Sequence, residues 1–149
     1  MGQDIAIRTR VKIKLNNSPE KEDFFPIFQR GFCSFCENAR NNSTEIIDSL
    51  TKALNFNLNF LLEPQFFEDP DGELPNFEIW VDLKPFLTKL NVLMSRFGAN
   101  PNYEQEVIYD RKSWWNYFGD DFQKDIKTLR DFLVKAETQG ISEFTFEVF

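Results

Sequence analysis

The chain has 149 residues, room for one domain with a proper core, and its 42% hydrophobic and 28% charged content is ordinary for a globular protein. The 24 acids against 17 Lys and Arg give a net charge of −7, which argues against general binding to nucleic acid or anionic membrane and points to a basic partner. There is no histidine, so Ser-His and Cys-His nucleophilic catalysis, His-ligated zinc and imidazole acid–base chemistry are removed.

Residues 4–15, DIAIRTRVKIKL, alternate strictly. Ile5, Ile7, Thr9, Val11, Ile13 and Leu15 share one face, while Ala6, Arg8, Arg10, Lys12 and Lys14 share the other. This predicts a half-buried strand with a basic outer side. After the loop NNSPEKED, Phe25, Phe28, Phe32, Phe35, Cys36 and Ala39 recur at helical spacing and predict a helix over about 25–39, opened by Pro26 and weakened by Gly31. The next start signal is NNSTE, with Asn42 as N-cap and Glu45 three residues on, leading a helix that carries Ile46, Ile47, Leu50, Ala53 and Leu54.

Leu54, Phe56, Leu58, Phe60 and Leu62 alternate with Asn, which predicts a strand, with a continuing helix as the other option. EPQFFEDPDGELP is a turn-rich loop, and NFEIWVDL a strand with Phe77, Ile79 and Val81 opposite Glu78, Trp80 and Asp82. Pro85 opens an amphipathic helix through Phe86, Leu87, Leu90, Leu93, Met94 and Phe97, closed by Gly98. EQEVIYD suggests a short strand and SWWNYF a turn of helix. Asp120 or Asp121 should cap the last helix (Phe122, Ile126, Leu129, Leu133, Ala136), which Gly140 ends before the closing strand SEFTFEVF. The expected fold is α+β: a mixed or antiparallel sheet of about four to five strands with three to four helices packed mainly on one face, in a single domain over 1–149.

The basic row Arg8, Arg10, Lys12 and Lys14 has a natural counterpart in Glu143 and Glu147 of the last strand, so the two strands are expected side by side. No apolar run reaches the length of a membrane span, and MGQDIAIRTR has no apolar signal-peptide core, so a cytoplasmic location is expected.

Cys33 and Cys36, the only cysteines, form a C-x-x-C. A zinc site would need more ligands than two thiolates without histidine. If the helix begins at Pro26, both thiols lie mid-helix and Cys36 fills the apolar flank. If it begins after Gly31, they lie in the helix dipole, which lowers a thiol pKa. Phe32 before Cys33, the helical stretch after it, the LNFNLNF segment and Pro75 before NFEIWV resemble thioredoxin-like proteins over residues 32–82. That resemblance implies a thiol redox module using Cys33 and Cys36, with Pro75 at the family's cis-proline. The preceding βα unit, the helix between the strands and the closing hairpin of that family are missing.

Asp69, Asp71 and Glu73 around Gly72 lack the roughly twelve-residue register and flanking helices of a calcium loop, and read as a solvated turn. No G-x-G occurs, so no phosphate-cradling loop is expected. YDRKSWWNYFGDD clusters aromatics beside charges, and Trp114, Trp115, Tyr117, Asp120 and Asp121 are the expected protein-binding residues. The same rings could instead lock an irregular segment onto the sheet.

These features predict a non-catalytic acidic protein-interaction domain that covers a basic protein partner, with an inhibitor or immunity-type protein as its concrete form. No catalytic residue, metal or cofactor is expected, and neither nucleic acid nor membrane is an expected partner. The alternatives are the redox module on Cys33 and Cys36, and a small-ligand binder with an aromatic pocket.

Overall fold

A computed structural model describes residues 4–11, 28, 30–40, 45–109 and 117–148. The elements in order are β1 (Ile5–Arg10), α1 (Arg30–Arg40), α2 (Glu45–Leu54), β2 (Gln65–Phe67), β3 (Phe77–Ile79), β4 (Val81–Asp82), α3 (Leu83–Ala99), α4 (Asp120–Thr138) and β5 (Glu143–Val148), with short 3-10 turns at Asn59–Leu62 and Tyr103–Glu106. Among the described residues, four helices and a five-stranded mixed sheet make an α+β fold, as expected.

Strand β5 is the centre of the sheet. β1 runs antiparallel along all of it, from Ile5 opposite Val148 to Arg10 opposite Glu143. The other side of β5 is shared. β4 pairs antiparallel with its first half (Val81 opposite Phe144), and β2 pairs parallel at Phe66 opposite Glu147. β3 lies outside β2, in register from Gln65–Ile79 to Phe67–Phe77. Alternation assigns the faces. Ile5, Ile7, Thr9, Phe144, Phe146, Val81, Phe67, Phe77 and Ile79 share one side, while Arg8, Arg10, Glu143, Glu147, Phe66, Glu78 and Trp80 share the other.

The helices cover the first side. Phe86 of α3 meets the Phe144 ring edge-on at 4.8 Å, and Phe32 of α1 meets Phe146 at 5.4 Å. Phe122 of α4 joins Phe35 and Phe97 beneath them. Edge-to-face packing of this kind suits ring quadrupoles and fills space without voids. The buried Phe residues on this side of the sheet, from Phe32 to Phe146, therefore share one core.

Four local expectations are corrected. First, α1 begins at Arg30, not Pro26, and Phe28 is not helical. Gly31 belongs to its first turn, where a Cβ would lie 2.3 Å from the Phe122 nitrogen and 2.5 Å from the Tyr117 carbonyl oxygen. Only glycine allows the starts of α1 and α4 to touch backbone to backbone.

Second, LNFNLNFLL is no strand. α2 ends at Leu54, Asn55 takes a positive φ of 50°, and a 3-10 turn follows. Asn tolerates that conformation, and the Asn57 side-chain carbonyl accepts the Asn59 N–H at 2.9 Å. The expected alternation of exposure survives, with Leu58 and Phe60 buried between exposed Asn, because a helix end and two turns reproduce it.

Third, EQEVIYD contributes a 3-10 turn in place of a strand. Fourth, α4 has Gly119 at its N-cap with no side-chain cap, and Asp120 and Asp121 stand in its first turn, where acids still favour the helix dipole. Residue Asn42, expected to cap α2, and SWWN at 113–116 lie outside the described residues.

Candidate functional site

The paired strands settle the basic row of β1. Arg8 donates from Nε to Glu147 at 2.7 Å and Arg10 to Glu143 at 2.8 Å. Their guanidinium carbons lie 4.2 Å from the Phe66 ring centre and 4.0 Å from that of Trp80. Each arginine is therefore held by a carboxylate and an aromatic face, a combination of charge pairing and cation–π attraction. This face is a structural ladder at Arg8 and Arg10. Lys12 and Lys14 lie outside the described residues.

The cysteine site is closed. Although α1 starts close to the thiols, Cys33 and Cys36 are both buried and neither is in a disulfide. Burial, with Asp125 and Asp4 adding to it against the opposing Arg30, pushes the Cys33 thiol up to about 11. The carboxylate of Asp125, carried by α4, sits at the N-terminus of α1 and accepts the Phe32 N–H at 2.8 Å. A helix N-terminus that already holds an acid has less positive potential to offer a thiolate. Sequence reasoning missed Asp125, because nothing local to it announces a partner 93 residues away.

The features shared with thioredoxin-like proteins do not assemble. The segment after the C-x-x-C helix is helix and turn, β2 and β3 form an antiparallel hairpin, and Pro75 lies exposed in its loop behind a trans peptide bond. The environment of the thiols is that of core-filling groups.

Of the aromatic–acidic cluster, Trp114 and Trp115 lie outside the described residues. Tyr117 is half-buried, Asp121 half-buried and Asp120 exposed. Just beside them the chain is locked. The Tyr103 hydroxyl, buried and thereby made a weaker acid, donates to the Phe118 carbonyl at 2.6 Å, with the Gly119 carbonyl at 3.0 Å. Tyr109 packs edge-on against Phe118 and donates to Glu104. The 117–119 segment is thus anchored on the turn after α3.

A different region stands out. Residues 53–83 contain seven acids and no Lys or Arg, while the rest of the chain holds 17 acids and 17 basic residues. The whole net charge of −7 therefore resides in this stretch. It folds as the β2–β3 hairpin and its flanks. The hairpin also exposes apolar side chains: Phe67 at 36%, Phe77 and Ile79 at 45%, and Leu74 at 60%. The Phe67 and Phe77 rings stack at 5.7 Å. An open depression of about 520 Å³ is lined by Phe66, Phe67, Glu68, Asn76, Phe77 and Glu78. The sequence signal that could have found this region is the absence of basic residues over 31 positions.

The hairpin tip has its own device. Asp69 accepts the N–H of Asp71 on Oδ1 at 3.1 Å, and those of Glu73 and Leu74 on Oδ2 at 2.8 and 2.6 Å. These backbone donors, Leu74 foremost, hold its carboxyl below the usual carboxylate range. The expected solvated turn is what forms. Among the described residues no group of three or more His, Cys, Asp or Glu could hold a metal ion.

The larger depression, about 690 Å³, lies between the start of α3 and the end of α4, lined by Asp82, Lys84, Pro85, Glu137, Gly140, Ile141 and Ser142. Among the described residues none of its lining is aromatic. Among the described residues no helix is long and apolar enough to cross a membrane. No family model matches the sequence, and no curated protein or solved structure matches it.

Proposed function

We propose that the chain is an acidic protein-interaction domain that covers a basic protein partner, in the manner of an inhibitor or immunity-type protein. The observation that carries this reading is the confinement of the entire net charge to residues 53–83, on a hairpin that also exposes aromatic rings. Segregated charge steers an oppositely charged partner and raises its rate of encounter, where the same charge spread evenly would mainly confer solubility. The engagement of Arg8 and Arg10 by Glu147 and Glu143 adds to it, because it leaves the outer sheet face locally neutral.

Capture from a lysate of the source cell tests the reading. The immobilised chain should retain basic proteins at low salt and release them as ionic strength rises from about 0.1 M to about 0.5 M, where screening reaches contact distances. Replacing Glu68, Glu73 and Glu78 by Gln should reduce that retention. Retention that ignores both salt and the three substitutions would defeat the proposal.

A further inference from the structure

Asp71 is the only Asp or Asn in the sequence that is followed by Gly. Every other Asp or Asn has a neighbour whose side chain crowds the next backbone nitrogen, and for Asp69 that neighbour is Pro70, which has no N–H. Asp48, Asp125 and Asp131 lie inside helices, where the next amide is committed to the hydrogen-bond ladder. Asp71 and Gly72 are exposed at the tip of the β2–β3 hairpin. Gly72 takes a φ of +69°, and nothing lies within 4 Å of the place a Cβ would occupy. Its nitrogen is therefore the least guarded acceptor of a carboxyl group in the chain.

We propose that Asp71–Gly72 is a self-modification site, where aspartate converts to isoaspartate through a cyclic imide, and that the Asp69 turn is the brake on this reaction. The Gly72 nitrogen attacks Cγ of the Asp71 carboxylic acid. A C–N bond forms, and the acid hydroxyl leaves with the amide proton as water. Water then adds to either carbonyl of the five-membered ring. Breaking the bond from nitrogen to Cγ restores aspartate. Breaking the bond from nitrogen to the Asp71 backbone carbonyl leaves the main chain running through Cβ, with the backbone carbonyl freed as a carboxylate. The two steps release and consume one water and need no oxidant, cofactor or partner.

The brake is geometric. In the closed turn the Gly72 N–H is donated to the Asp69 carbonyl at 3.1 Å, and the Asp71 N–H to Asp69 Oδ1 at 3.1 Å. The Glu73 and Leu74 N–H groups are gathered on Asp69 Oδ2. The peptide between Asp71 and Gly72 is thus pinned on both sides, and attack waits for the turn to open. Isoaspartate lengthens the main chain by one methylene between groups that Asp69 holds, so these bonds lose their spacing. The modification falls on the hairpin that carries the net charge, but the inference does not depend on what that hairpin binds.

The test keeps the full chain warm in neutral buffer and samples it over weeks, with a synthetic peptide of residues 67–77 as the open turn. Peptide mapping reads residue 71: isoaspartate leaves the mass unchanged, shifts the retention of its peptide and resists an endoprotease that cuts before Asp. Isoaspartate should appear at residue 71 before any other aspartate, and at least about tenfold more slowly than in the peptide. Asp69→Asn should raise the rate in the folded chain about threefold or more, because its side chain offers one acceptor oxygen where the carboxylate offers two. Asp71→Glu should abolish the signal, since its longer side chain closes the five-membered ring no more.

A folded chain unchanged at residue 71 while the peptide converts overturns the site, as does a signal that persists in Asp71→Glu. Equal rates in the native chain and in Asp69→Asn overturn the brake. Full exchange protection of the Glu73 and Leu74 amides after conversion overturns the effect on the turn.

Discussion

Phe144 and Phe77 are the same residue type, on the same face of the same sheet, in strands of the same alternating pattern. One is fully buried and the other nearly half exposed. The difference lies in what packs against them. Phe144 meets the Phe86 ring of α3, whereas Phe77 stacks on Phe67 of its own hairpin. Alternation in a strand decides which side chains share a face. Whether that face is covered depends on helices packed over it from elsewhere in the sequence.

The comparison breaks most visibly in stability. Phe144→Ala should cost about 3–5 kcal/mol, since it leaves a cavity among close-packed rings. Phe77→Ala should cost no more than about 0.5 kcal/mol, as an exposed substitution away from caps and networks. Chemical denaturation of the two variants reads this directly. Similar losses would mean that the hairpin face is packed as the covered face is.

The covered region depends on a close approach that the hairpin does not need. Gly31→Ala would drive a methyl group into the backbone of Phe122 and Tyr117, neither of which can turn aside as a side chain could. The starts of α1 and α4 must then separate, and the Phe32 N–H loses its bond to Asp125. A loss of about 3 kcal/mol is expected, at the upper end for overpacking. Gly72→Ala in the hairpin has open space around it but a φ of +69°, so it should cost only about 1 kcal/mol. Equal effects from the two glycines would contradict the contact between α1 and α4.

Much of this organisation was legible in the sequence. The period-two pattern of β1 and β5 and the opposite charges of Arg8, Arg10, Glu143 and Glu147 specified their pairing, because cross-strand neighbours must be compatible. Helices α3 and α4 were equally clear from their apolar stripes. Three features were not legible, each for a physical reason. The alternation in LNFNLNFLL describes exposure, and turns can satisfy it as well as a strand can. Gly31 reads locally as a helix breaker, whereas its role is set by Phe122, 91 positions away. The acidic character of the β2–β3 hairpin is marked in the sequence by the basic residues missing over 53–83, and an absence spread over 31 positions forms no local motif.

The thiols extend the comparison to chemistry. With Cys33 raised to about 11 from an ordinary 9.0, its thiolate fraction at neutral pH is about a hundredfold below that of an open thiol. Alkylation in the native state should be slower than in urea by at least that factor. The raised value also favours the folded state while the thiol stays protonated. That contribution is complete below pH 9.0 and is lost as pH rises through about 11. A Cys33→Ala variant should therefore lack this part of the alkaline loss. Rapid native labelling with a midpoint under pH 8 would reverse the assignment and restore a reactive thiol.

The smallest effect belongs to the hairpin tip, and its sign is opposite. Asp69 is held below its ordinary 3.8 by three backbone N–H groups. A depressed carboxylate favours the ordered turn above its ordinary pKa, and that preference fades as pH falls through the lowered value. Because the tip is exposed and tied to itself, its loosening should leave global unfolding almost unmoved. The expected signature is local: the amides of Glu73 and Leu74 lose protection in acid while those of α3 keep theirs. Asp69→Asn should show the same loss at neutral pH, since the amide NH2 cannot accept the bonds that a carboxylate oxygen accepts. If Leu74 were as unprotected at neutral pH as in acid, the Asp69 turn would not be what shapes the tip, and the apolar side chains displayed beside it would need another support.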